Sequence, residues 1–146
     1  MLKSSLYYIP EETFTPVQKP SSTASVAVFL SQDDYTQEST ELLSKILGAA
    51  HLNLEKDCFL CTLSPDTTAH YYKGMDLKNV SKIIVFGLSP DNLSIHIKSN
   101  LYTTFELDGK SWFFAHSLQQ FVLEKQQGGK QKRLALWNVL KKLFNI

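Results

Sequence analysis

Three short runs of the chain are apolar at nearly every position: "SVAVFL" at 25–30, "CFLCTL" at 58–63 and "KIIVFGL" at 82–88. Runs of this length, bounded by polar turns and rich in β-branched and aromatic residues, are strands buried on both faces. Between the first two, "ESTELLSKILGAA" (38–50) changes to helical spacing, with Leu42, Leu43, Ile46, Leu47 and Ala50 on one face. "TTAHYYKGM" (67–75) predicts a second, short helix before the third strand. Strand, helix, strand, helix, strand with short links implies crossover connections and a mainly parallel sheet covered on both faces.

After residue 88 the pattern changes. "LYTTFELDGKSWFFAH" (101–116) sets Asp108-Gly109 between two β-prone runs, a hairpin signal. The "GKS" within it is therefore a turn and not a phosphate loop, because Thr104 stands where that loop needs glycine and "WFFA" where it needs a helix. "SLQQFVLEK" (117–125) reads as a short helix, Gly128-Gly129 as a break, and "KQKRLALWNVLKKLF" (130–144) as a final helix. In that helix Leu134, Trp137, Leu140 and Phe144 form one stripe, with Lys130, Arg133, Lys141 and Lys142 around it as a basic face. The expectation is one α/β domain over 24–146: a three-layer αβα arrangement with a mainly parallel four-stranded sheet.

Residues 1–23 carry Pro10, Pro16, Pro20 and a Ser/Thr run at 21–23 with no sustained period, and read as an extended arm. Within it Leu6, Tyr7, Tyr8 and Ile9 are apolar. They call for burial either against the chain's own domain or in a groove of another protein.

Composition narrows the classes. A chain of 146 residues with 43% apolar residues is a globular domain with a real core. Net charge is only +1, but it is uneven: residues 1–66 hold nine acidic and four basic residues (−5), and 67–146 hold five acidic and eleven basic (+6). One basic face is compatible with an acidic partner protein or with nucleic acid. No apolar run approaches the roughly 20 residues of a membrane span, and Met1-Leu2-Lys3-Ser4 does not lead into a signal-peptide core, so a cytoplasmic location is expected. Cys58 and Cys61 form a C-x-x-C within a predicted strand, where positions three apart face opposite ways, so they do not pair as a redox or metal couple. His51, His70, His96 and His116 are too far apart to supply a local ligand set, and no metal or cofactor is expected.

In an open parallel sheet, ligands sit at the carboxyl ends of the strands. Those ends are Ser31-Gln32-Asp33-Asp34, Ser64-Pro65-Asp66, Ser89-Pro90-Asp91-Asn92 and Ala115-His116-Ser117. The two Ser-Pro-Asp tripeptides have the chemistry of helix starts. Asp33 and His116 are the candidate catalytic pair: a carboxylate to activate water and an imidazole to steady developing negative charge. The competing reading of Asp33 is a carboxylate favoured by the start of the helix from Thr36.

"VAVFLSQDDYTQ" resembles the first motif of uracil-DNA glycosylases, where a strand runs into GQDPYH, and "FFAHSLQQF" resembles their last motif, HPSPL. That resemblance implies their fold, with Asp33 at the water-activating Asp and His116 at the histidine that stabilises the leaving uracil anion. Ser31, Asp34 and Thr36 replace the first motif's Gly, Pro and final His, and "CFLCTLS" lacks the base-reading Asn. A pocket without those paired donors and acceptors loses base discrimination.

The chain also resembles the psi subunit of bacterial DNA polymerase III in length, element order and the final helix, whose Arg133, Leu136 and Trp137 fall in that family's Arg-x-x-Leu-Trp pattern. This second resemblance implies a glycosylase-like fold without catalysis, an arm that binds the clamp loader, and a chi-like partner. A non-catalytic adaptor in DNA replication is the expectation. The alternatives are a divergent glycosylase excising a base from DNA and a globular domain of unrelated function.

Overall fold

The structure, a computed structural model, describes residues 15–16, 25–53, 56–63, 79–93, 95 and 100–144. The arm residues Leu6, Tyr7, Tyr8 and Ile9, the Ser64-Pro65-Asp66 turn and the predicted helix at 67–75 lie outside them. The strands are β1 (Thr15–Pro16), β2 (Val26–Ser31), β3 (Cys58–Leu63), β4 (Lys82–Phe86), β5 (Phe105–Leu107) and β6 (Lys110–Ala115). The α-helices are α1 (Gln37–Ala49), α2 (Leu118–Gln126) and α3 (Gln131–Phe144).

The sheet runs β1-β3-β2-β4-β6-β5. The four central strands are parallel, with Val26 opposite both Cys58 and Lys82, and Lys82 opposite Ser111. The expectation of four strands is too low. β5 adds an antiparallel edge strand through the hairpin at Asp108-Gly109, and the two-residue β1 pairs antiparallel with Thr62 and Cys61 at the other edge. Asp108 and Gly109 both have positive φ, 55° and 74°, as a type I′ turn requires.

Alternation along the strands divides the core in two. Val26, Val28 and Leu30 of β2, with Cys58, Leu60, Ile84, Phe86 and Phe113, point to the face where Leu43 and Leu47 of α1, Leu118 and Phe121 of α2, and Leu136, Val139 and Leu140 of α3 pack. Ala27, Phe29, Cys61, Val85 and Trp112 point to the opposite face, against Leu88, Leu93 and Ile95. Leu43 and Leu47 are fully buried, and each contributes about 1.5–3 kcal/mol relative to an exposed position. The two cysteines fall in different clusters on the two faces, as strand geometry dictates. Burial pushes both thiols up to about 12, helped at Cys58 by the Asp57 charge, so they are inert apolar filling.

The stripe of α3 is rotated from the sequence reading. Leu134 is 49% exposed, whereas Leu136, Val139 and Leu140 are buried and Trp137, Leu143 and Phe144 pack beside them. The rotation is fixed at the start of the helix, where the amides of Lys132 and Arg133 are held by a side chain from α2.

Candidate functional site

β2 is central, and the chain leaves it first toward β3 and then returns on its other side to β4. The carboxyl ends of β2 and β4 therefore form the switch point at which an open α/β sheet offers a crevice. At β2 that end is a single 3-10 turn, Gln32–Asp34, and at β4 it is Gly87.

Asp34, not Asp33, is the buried carboxylate of the turn, with 2% exposure. Its Oδ2 accepts the Leu118 amide at 2.5 Å and its Oδ1 the Gln119 amide at 2.8 Å, the first two amides of α2. Asp33 is exposed, and its backbone carbonyl accepts from Gln119 Nε2 at 2.9 Å. A helix start has free N–H groups and a partial positive charge, which is why a carboxylate is stable there without a ligand. Burial pushes the Asp34 carboxyl up from its usual 3.8, against the pull of the two amides. In sheet order β2, β4, β6, the loop after β2 thus reaches past the end of β4 to the helix that follows β6.

Beneath that bridge, Gly87 closes on Ser117. Its φ is +72°, its amide donates to the Ala115 carbonyl at 3.0 Å, and a Cβ there would stand 2.9 Å from Ser117 Cβ. Ser117 caps α2 with its own hydroxyl, accepting from the Gln120 amide at 3.3 Å. Between the ends of β4 and β6 there is thus no room for a side chain at position 87. Gln32-Asp33-Asp34 therefore braces α2, while the next helix, α1, is capped by Thr36, whose Oγ1 accepts from the Ser39 amide at 3.1 Å.

His116 is half-buried and engaged with Tyr102. The Tyr102 hydroxyl lies 2.6 Å from His116 Nδ1, the rings are 5.4 Å apart, and the His116 amide donates to the same hydroxyl at 3.5 Å. The hydroxyl either donates to Nδ1 of an imidazole protonated at Nε2 or accepts from Nδ1–H of the other tautomer. Burial and the Lys132 charge hold His116 below its usual 6.5, opposed by Glu124. Burial pushes Tyr102 up to about 12, with Glu124 in the same direction and the His116 amide opposing. The charges that bear on His116 are thus Lys132 and Glu124.

Glu124, 8% exposed on α2, repeats the role of Asp34 one helix further on. It accepts the amides of Lys132 at 2.8 Å and Arg133 at 3.2 Å, near the start of α3, and lies 3.9 Å from each of their charged side chains. Burial pushes its carboxyl up, but the two amides and the two cations outweigh burial and leave it below its usual 4.5. Arg133 is drawn inward, donating from Nη2 to the Gly129 carbonyl at 3.0 Å, so of the predicted basic face Lys130, Lys141 and Lys142 are the exposed members.

Of the strand-end turns, Ser89 precedes the 3-10 turn Pro90–Leu93, and Asn92 Oδ1 accepts from both the Ser89 amide and hydroxyl. Among the described residues no three His, Cys, Asp or Glu side chains gather as a metal ion would require. No helix of the described residues is long and apolar enough to cross a membrane. Asp34, Tyr102, Gly87 and Glu124 were not singled out by sequence, and the partners of Asp34 lie 84 and 85 residues away. No protein-family model and no curated protein matches the chain.

Proposed function

We propose that the protein is a non-catalytic adaptor of the kind represented by the psi subunit of the bacterial clamp-loader complex. It binds a chi-like subunit and the clamp loader through its arm, Leu6 to Ile9, and its domain surface. One observation supports the reading: the buried carboxylate at the end of β2, Asp34, is taken up by the first two amides of α2, and Gly87 after β4 packs against Ser117 after β6. A base-excising enzyme needs room at the strand ends for an extruded nucleobase, with an unencumbered carboxylate facing the histidine. Here the buried carboxylate holds a helix and the His116 Nδ1 holds Tyr102. The three-layer, uracil-DNA-glycosylase-like arrangement belongs to the same proposal, with α1, α2 and α3 as one layer.

Short apolar peptides bind through a few aromatic or aliphatic anchors, and Tyr7, Tyr8 and Ile9 have that character. Affinity capture from the native host, with the full chain and one lacking residues 1–12, tests the proposal. Clamp-loader proteins should be recovered with the full chain only, at unchanged melting temperature. Equal recovery by both chains, or no clamp-loader protein with either, would contradict it.

A further inference from the structure

We infer that the exposed face of α1 and α2 is a self-complementary surface that pairs two copies of this chain about a two-fold axis. Side chains at helical spacing on α1 line a continuous groove with α2. Its floor is Leu42, Ile46 and Val122, all half-buried, and Leu123 beside it is 48% exposed. Glu38 and Glu41 stand toward the start of α1, and Lys45 and Lys125 border the same groove and its continuation toward Ala49. All four are exposed. Among the described residues none of the four forms an ion pair, and Glu41 accepts only from Gln37 Nε2 at 3.3 Å.

The occupant follows from the arrangement of charge. An isologous contact lays a patch on its own copy with the direction reversed. A surface with two acidic groups toward one end, two basic groups toward the other and an apolar floor is complementary to itself under that operation. Leu42 lies between Glu38 and Lys45 in the sequence of α1, so an axis near Leu42 sets each acidic end over the partner copy's basic end. Apolar contact along the floor supplies affinity, while the charges fix register and direction. Exposed pairs contribute little individually and are screened by salt, so the dimer is weak and dissociates as ionic strength rises. The surface lies on the helical layer, away from the strand ends, and its pairing is independent of the adaptor reading.

Sedimentation equilibrium of the full chain, from about 1 to 200 μM, tests this directly. The expected result is a reversible monomer–dimer equilibrium that weakens with added salt. The double variant E38K/E41K and the double variant K45E/K125E should each weaken self-association at least about tenfold, and an equimolar mixture of the two should restore a heterodimer. A chain monomeric across the whole range overturns the inference, including the case in which dimers form only after residues 1–14 are removed and the arm therefore covers the groove. A dimer indifferent to both charge reversals, or strengthened by salt, places the contact elsewhere and also overturns it. Circular dichroism of each variant confirms folding, and the salt dependence of the wild-type chain gives an answer that needs no variant.

Discussion

The carboxylate of Asp34 receives the amide of Leu118, 84 residues further along the chain, and with it the amide of Gln119. A loop at the end of the central strand is thereby fastened to the start of a helix that follows a strand two positions away in the sheet. Glu124 does the same for α3, receiving Lys132 and Arg133. Two buried acidic side chains thus serve as successive braces of the helical layer.

Removing the first brace destabilises the fold. Asp34→Ala leaves the buried Leu118 amide and the partly buried Gln119 amide without their acceptor, and a loss of about 1–3 kcal/mol is expected in denaturant unfolding. Because burial raises the folded carboxyl above its usual 3.8, its contribution is fully present below that value and is lost as pH rises through the raised pKa. The stability advantage of wild type over Asp34→Asn should therefore shrink as pH increases from the acid range.

Glu124 has the opposite sign. Its folded pKa is below the usual 4.5, so its contribution is present above that value and is lost as pH falls through the lowered pKa. Glu124→Gln should melt below wild type at neutral pH, and the difference should vanish in acid. Melting curves of both variants against pH read the two slopes side by side, and slopes of the same sign would contradict this account.

The Tyr102 hydroxyl lies 2.6 Å from His116 Nδ1, and donation to that nitrogen would favour the neutral imidazole. With its folded pKa below 6.5, His116 adds stability above that pH that is lost as pH falls through the lowered value. An NMR titration should place its midpoint below that of free histidine, and the Nε2–H tautomer at high pH would identify the hydroxyl as the donor. Tyr102→Phe should move the midpoint up. An unchanged midpoint would mean that the hydroxyl does not donate to the ring.

Local pattern made the buried strands, the first helix, the hairpin and the opposite-facing cysteines legible in the sequence. Apolar runs and Asp-Gly chemistry act over a few residues. The strand count of four falls short because the hairpin arm β5 is only three residues long and the two-residue β1 carries no run of its own. The α3 stripe was rotated because a carboxylate on the preceding helix, not periodicity alone, sets its seat. The site was legible only as a neighbourhood. The sequence pointed to the turn at 32–34 and to His116, but Asp33 was preferred to Asp34 because a motif alignment carries no information about Leu118 and Gln119. Tyr102, whose positive φ of 61° lies in a loop without a glycine signal, had no local sign at all.

An adaptor and a base-excising enzyme differ in whether the strand ends perform chemistry. The most direct measurement is base release from a labelled uracil-containing oligonucleotide under single-turnover conditions, with protein in excess, for wild type and Asp33→Asn. No release above background by either protein is expected, since the buried Asp34 carboxylate is committed to the start of α2 and His116 to Tyr102. Release by wild type that Asp33→Asn strongly reduces would contradict it.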